Sequence, residues 1–234
     1  MSLLTIIQAM ADELGLPRPS AVVSSTDQTV RQMLALSNRE GKQLARRYAW
    51  EALTKEASFT TVAAEEQGAL LTIASDFGAF RNDTMYDRTR SWSIPGPLSA
   101  QEWQREKGAA ATGLRDQFRI RGGRILFLPA PPAGRTVYFE YQSRSWCRNA
   151  AGSVECEAWA ADTDAGILDE DLMALGLKWR FLKAKGLDYA EDFREYETRL
   201  YDARAQDGAK RRIAVEDARY VAPGVTVPDG NWSL

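Results

Sequence analysis

Residues 169–205 read DEDLMALGLKWRFLKAKGLDYAEDFREYETRLYDARA, and the pattern of this stretch predicts two helices. Its first half, from Asp169 to Lys185, is apolar almost all the way round a helix, which predicts a buried helix. Its second half, from Asp188 to about Ala205, carries apolar side chains on one stripe only, which predicts an amphipathic helix packed against the first. The stripe consists of Tyr189, Phe193, Tyr196, Leu200 and Ala203.

The N-terminal part of the chain predicts two more amphipathic helices. The first ends at the segment rich in Gly and Pro that follows it. We expect a capping box of Ser25 and Gln28 to open the second helix. The buried stripe of this second helix includes Ser37 and Gly41, whose small side chains would let a partner helix approach closely. The expected partner is the helix that contains Gly176.

The middle of the chain changes to short β-rich runs from Ser58 onward, including Leu70 to Ile73. Phe118 to Leu128 predicts a hairpin with the two-residue turn Gly122 and Gly123, because both positions of such a turn need a positive φ. Apolar and polar residues then alternate in a manner typical of a half-buried strand. The apolar members of that strand are Val137, Phe139 and Tyr141.

These patterns together predict an α+β fold in which N- and C-terminal helices form a bundle around a β-rich insertion. The expected divisions are residues 1–56 and 165–212 for the two parts of the bundle, 57–164 for the insertion and 213–234 for an extended C-terminal arm. This arm is punctuated by Pro and Gly yet rich in apolar side chains, so we expect it to lie on another surface. Its predicted partner-binding anchors are Tyr220, Val225, Val227 and Trp232.

The residue types argue against familiar catalytic and metal chemistry. The sequence contains no histidine, which removes the usual general base and the commonest zinc ligand. Gly108 to Arg115 has the glycine spacing of a phosphate-binding loop but lacks its Lys and its Ser or Thr. Asp162 and Asp164 resemble the start of a calcium loop that lacks its final glutamate. We therefore predict a protein that is not an enzyme and holds no metal or cofactor.

Composition sets further limits on partners. The hydrophobic content of 44% and charged content of 26% are typical of a globular protein. A formal net charge of -2 gives no general attraction to nucleic acid. No run approaches the roughly 20 apolar residues of a membrane-spanning helix, so we expect no membrane partner. Cys147 and Cys156 are expected to be a reduced, packed pair.

Basic and aromatic residues suggest possible contact surfaces. Trp50, Trp159 and Trp179 have apolar neighbours and are predicted core residues, whereas Trp92 and Trp232 are predicted anchors into a groove. Basic residues cluster on the second helix and near the end of the buried helix, where a solvated face is a simpler explanation than phosphate binding. These clusters are Arg31, Arg39, Lys42, Arg46 and Arg47, and Lys178, Arg180, Lys183 and Lys185.

Three segments resemble tailed-bacteriophage and prophage virion proteins of the head-to-tail adaptor type: Ser2–Pro17, Thr26–Gly41 and Leu168–Ala190. The layout is similar to that of the tail tubular protein A group of short-tailed phages. The resemblance implies a homo-oligomeric ring, a dodecamer, between the portal protein and a tail or nozzle protein. DNA would pass through its channel without sequence-specific binding. The resemblance also implies a place in the virion neck, after assembly in the bacterial host cytoplasm, and no catalytic residues.

Three other interpretations stay open at this stage. A tail-completion or nozzle-adjacent virion protein would have a similar sequence. A DNA-binding packaging or regulatory factor would use Arg31, Arg39, Arg46 and Arg47 on the second helix, and its affinity for DNA would depend on salt. An enzyme acting through carboxylates such as Asp162 is the least favoured.

Overall fold

The computed structural model describes residues 2–108 and 115–208, and in them helices at both ends flank a β-rich middle, as the α+β prediction requires. The predicted arm at 213–234 lies outside the described residues. The helices are α1 (Leu3–Glu13), α2 (Gln28–Arg47), α3 (Leu70–Ile73), α4 (Ala100–Gly108), α5 (Glu170–Lys185) and α6 (Ala190–Gln206). The strands are β1 (Thr54–Thr60), β2 (Glu66–Ala69), β3 (Phe77–Phe80), β4 (Tyr86–Asp87), β5 (Trp92–Ser93), β6 (Gln117–Arg121), β7 (Arg124–Leu128), β8 (Thr136–Ser143), β9 (Cys147–Arg148), β10 (Glu155–Cys156) and β11 (Ala165–Gly166).

The N-terminus of α2 differs from the sequence prediction. Asp27 is the capping residue, and its Oδ1 accepts hydrogen bonds from the backbone N–H of Thr29 at 2.8 Å and of Val30 at 3.0 Å. Ser25 instead accepts a bond from the N–H of Asp27 at 3.2 Å. A carboxylate satisfies the free N–H groups and also interacts favourably with the positive end of the helix dipole. The predicted capping box of Ser25 and Gln28 is therefore wrong.

The buried helix predicted from residue 169 onward is confirmed as α5, which packs against α1, α2 and α6. The Asp169 side chain accepts the N–H of Leu172 at its start, and Gly186 ends it with a φ of 73° in the left-handed region that glycine adopts most readily. The predicted core tryptophans Trp50, Trp159 and Trp179 all lie in the core of this bundle.

The close approach predicted for Gly41 takes a different form. A Cβ at Gly41 would lie 2.4 Å from the ring of Trp146, so this glycine makes room for a buried indole rather than for α5. Helix α2 does pack against α5, but at another point, where Gly176 faces Glu40. Trp146 follows β8 and is fully buried, so it brings the β-rich part into the bundle core.

The β-rich part is built around β8, which pairs with β1 on one side and with β3 and β4 on the other. The predicted hairpin is confirmed as β6 and β7, with φ values of 59° and 72° at Gly122 and Gly123. The predicted strand at Leu70–Ile73 is wrong, because these residues form the short helix α3. A short apolar run fits either structure, and here Leu70 enters a second core between the sheets.

A small third sheet of β9, β10 and β11 connects the β-rich part to α5. It places Cys147 directly opposite Cys156, and both are free thiols. The pKa of the Cys147 thiol is raised to about 12, chiefly by burial. The division of the chain at residues 56, 164 and 212 stays a prediction.

Candidate interaction surfaces

The carboxylates considered for metal binding have structural roles. Asp162 accepts hydrogen bonds from the backbone N–H of Val22 at 3.1 Å and of Val23 at 2.8 Å. Asp164 accepts one from the N–H of Ala160 at 2.7 Å. These bonds tie the connection between α1 and α2 to the segment before α5. In residues 2–108 and 115–208, no group of three or more potential ligands could hold a metal ion.

A buried ionic cluster joins three helices. Glu40 of α2 is 1% exposed, and its carboxylate accepts hydrogen bonds from Arg180 Nε of α5 and, at 2.7 Å, from the Tyr196 hydroxyl of α6. Burial raises the pKa of Tyr196, and the negative charge of Glu40 raises it further. Gly176 leaves the space in which this carboxylate lies. The cluster therefore fixes how α2, α5 and α6 sit together.

This ionic cluster is not among the sites predicted from the sequence. A signal was present, since Glu40 follows Ser37 by three positions and so falls on the buried stripe of α2. A charged residue on an apolar stripe calls for a buried partner of opposite charge. Nothing in the sequence pattern indicates that the partner is Arg180, 140 positions away.

A second polar cluster joins the main sheet to the small third sheet. Asp76 accepts hydrogen bonds from Lys55 Nζ at 2.6 Å, from Ser143 Oγ at 2.6 Å and from the Tyr141 hydroxyl at 2.7 Å. Partial burial opposes ionisation of Asp76, but these three bonds, together with the charge of Lys55, lower its pKa to about 2. Lys55 also contacts Glu155 of β10 at 2.5 Å. The cluster thus connects β1, β8 and the small third sheet.

Further contacts hold the end of α2 on the sheet. The side-chain amide of Gln142, in β8, donates to the carbonyl of Ala45 at 2.6 Å and to that of Tyr48 at 2.8 Å. Arg81 donates to the carbonyl of Ala49 at 2.9 Å and to the Glu51 carboxylate at 2.8 Å. The β-rich part and the bundle are therefore joined by many fixed polar contacts in addition to the chain connections.

The two predicted basic clusters differ in how many of their cations form ion pairs in the structure. In the second cluster, Lys178 contacts Glu13 and Asp192, each at 3.0 Å, and Arg180 belongs to the buried cluster around Glu40. The first cluster lies on the exposed side of α2. There Arg47 pairs with a carboxylate of α6, whereas four cations make no ion pair with any described residue. These four are Arg31, Arg39, Lys42 and Arg46.

Trp92 is 47% exposed and lies in β5, with the Arg90 guanidinium 5.5 Å from its ring centroid. Its role as an anchor stays a prediction. The glycine-rich residues 109–114 and the predicted arm anchors lie outside the described residues. The anchors concerned are Tyr220, Val225, Val227 and Trp232.

The described polar clusters hold the parts of the subunit together. The comparison with protein families agrees: residues 1–227 match the SU10 adaptor protein model, and the chain belongs to this family. A search of curated proteins found no match. Family membership supports a structural adaptor protein and a component of a phage virion. No helix in the described ranges is long and apolar enough to cross a membrane.

Proposed function

We propose that this chain is a subunit of a head-to-tail adaptor ring, which joins the portal protein to a tail or nozzle protein around the DNA channel of a phage neck. The observation that carries the proposal is the match to an adaptor family over residues 1–227. The ring is proposed to be a dodecamer of the tail tubular protein A type, assembled in the bacterial host cytoplasm.

The rigid connection between the two cores supports this proposal. An adaptor must present one surface to the portal and another to the tail. The two surfaces must keep a fixed orientation relative to each other. The contacts of Gln142 and Arg81 hold the sheet in one orientation on the end of α2, and the Asp76 cluster holds it on the small third sheet. Such a subunit needs no reacting group, so its role is structural rather than catalytic.

The C-terminal arm is proposed to bind the portal or an adjacent subunit. Residues 213–234 combine apolar side chains with Pro and Gly, a composition suited to ordering on a partner surface. The conformational entropy of such an arm is lost only at assembly, when the arm becomes ordered. Subunits can therefore add to the head one after another.

The decisive experiment adds purified subunits to DNA-filled heads that carry the portal. Full-length protein is expected to bind as a ring, and native mass spectrometry of the ring with and without portal gives the copy number. A variant that lacks residues 223–234 is expected to stay folded, because no described helix is removed, and to fail to join the heads. Normal attachment of the truncated protein would contradict the role of the arm.

A DNA-binding packaging or regulatory factor is the second candidate, and the unpaired cations of α2 favour it. This candidate requires salt-dependent affinity for duplex DNA at micromolar concentration or better. A gel-shift series across salt concentrations distinguishes it from an adaptor. A tail-completion or nozzle-adjacent protein would instead bind purified tail structures without binding the portal.

A further inference from the structure

The exposed side of α2 has an unusual charge pattern. Of the eight exposed residues within this fully described helix, five are cationic and none is acidic. At 100° per residue, the four unpaired cations fall within about 80° of one another around the helix axis. Arg31 and Arg46 at the ends of this stripe are about 22 Å apart along the axis. The cationic stripe consists of Arg31, Arg39, Lys42 and Arg46.

The opposite charge is concentrated in a groove between α1, α5 and α6. The groove has a volume of about 250 Å³, and its lining includes three acidic residues, Glu13, Asp171 and Glu195. Its apolar lining residues are Ala9, Met10, Ala174 and Leu175. Lys178 also lines it, but this ammonium is already bound by Glu13 and Asp192.

Helix α6 extends the acidic surface beyond the groove. Glu191, Glu195 and Asp202 are exposed and lie within about 40° of one another at 100° per residue. Neither Glu195 nor Asp202 forms an ion pair with a described residue. Glu191 pairs with Arg194 at 2.9 Å, so two of the three carboxylates on this acidic stripe lack an ionic partner inside the described part of the subunit.

The two charged surfaces lie on opposite sides of α5. Helix α2 contacts α5 at Gly176, where the Glu40 carboxylate fills the available space. Ala174 and Lys178, which line the groove, stand two positions before and after Gly176 and are therefore about 160° from it around the axis. Glu40, the residue through which α2 meets Gly176 of α5, lies on the opposite side of α2 from Arg31. The cationic stripe therefore faces away from α5.

We propose that the cationic stripe of one copy docks on the acidic groove and α6 stripe of a second copy. Two different surfaces on opposite sides of one subunit form a head-to-tail contact, which generates a ring when the rotation closes. This inference rests on the proposed ring and names its subunit interface. A second copy is favoured over duplex DNA because it accounts for the unpaired Glu195 and Asp202 as well as the four unpaired cations, whereas DNA accounts only for the cations.

The test reverses charge on each surface separately. The Lys42→Glu/Arg46→Glu variant places two glutamates on the cationic stripe, and the Glu13→Lys/Glu195→Lys variant places two lysines on the acidic groove. Each variant alone is expected to self-associate at least about tenfold more weakly than wild type, because like charges then meet across the contact. Self-association is measured by sedimentation equilibrium at about 50 mM salt, and it should weaken at higher salt.

Mixing the two variants provides the specific readout. In an equimolar mixture each altered surface finds a complementary one, so association in alternating order should return to near the wild-type level. A chain carrying all four substitutions should likewise associate with itself. The matched control is Arg121→Glu/Arg148→Glu, which makes the same charge change at exposed sites away from both surfaces and should associate as wild type does.

Three outcomes would overturn the interface. They are a wild-type chain that stays monomeric throughout, charge-reversed variants that associate normally, or a mixture that shows no recovery. Wild-type binding to duplex DNA that is lost in Lys42→Glu/Arg46→Glu without a change in self-association would assign the stripe to nucleic acid. Attachment to portal-bearing heads is assayed separately, so a wrong interface within a correct adaptor is distinguishable from a wrong adaptor assignment.

Discussion

Gly176 of α5 faces Glu40 of α2 so closely that a Cβ on Gly176 would lie 2.4 Å from the Oε1 atom of Glu40. The carboxylate cannot easily move aside, because Arg180 and Tyr196 both donate to it. A glycine in the interior of a helix normally lowers helix stability. Here the absence of a side chain at Gly176 leaves the space in which the charged Glu40 carboxylate is buried between three helices.

Gly176→Ala is expected to destabilise the subunit by about 1–3 kcal/mol, since the added methyl group overpacks the site. The better helix propensity of Ala offsets only part of this cost. Urea unfolding followed by tryptophan fluorescence measures the change in the free energy of unfolding. Gly108→Ala is the control, because a Cβ there has no neighbour within 4 Å. Equal stabilities for the two variants would contradict the close contact.

Glu40→Gln is expected to lower the free energy of unfolding by about 3 kcal/mol, because it leaves the Arg180 guanidinium buried without a counter-charge. The Arg180 side chain is 11% exposed, so water compensates little. The second variant, Glu40→Gln/Arg180→Met, removes the unpaired buried charge of Arg180 and should recover part of the lost free energy of unfolding. A double-mutant cycle measures the coupling. Additive effects of the two substitutions would show that the pair is not coupled.

Asp76 should make stability depend on pH below about 4. Its pKa is about 2 in the folded chain against an ordinary value of 3.8, so folding favours the charged carboxylate. This contribution is fully present above about pH 4 and is lost as the pH falls toward 2. We expect Asp76→Asn to be less stable at pH 7 and to lose less further stability between pH 4 and 2.

The matched control for Asp76 is the exposed residue Asp202, and Asp202→Asn should follow the wild-type pH dependence. Free energies of unfolding at pH 2, 3, 4 and 7 provide the comparison. An Asp76→Asn variant whose acid sensitivity equals that of wild type would contradict the role assigned to the Lys55, Ser143 and Tyr141 bonds.

Cys147 is expected to be inert in the native chain, since it is fully buried and its thiol has a pKa of about 12. Titration with a thiol reagent at pH 8 should label Cys156 first and Cys147 only after unfolding. The Cys156→Ser variant should therefore show no rapid labelling. Rapid labelling of that variant would indicate that the third sheet opens readily.

The elements that could be predicted from sequence are those with a local signal. The all-round apolar pattern of α5 and the single stripe of α6 depend on residues within a few turns of one another. The Gly122–Gly123 turn follows from backbone geometry alone. Where the local signal was ambiguous, prediction failed: the short run Leu70–Ile73, with three apolar residues, fits a strand as well as the helix it forms.

The sequence by itself determined the bundle, the hairpin and a chain without histidine, because periodicity, turn chemistry and composition are properties of the residues in order. Only the tertiary structure decided that Glu40 meets Arg180, that Gly41 receives Trp146, and that cationic and acidic stripes face opposite sides. Those relationships join residues that are far apart in the chain. Many residues of the same chemical type could serve as the partner, and only the packing of the folded chain brings one of them within contact distance.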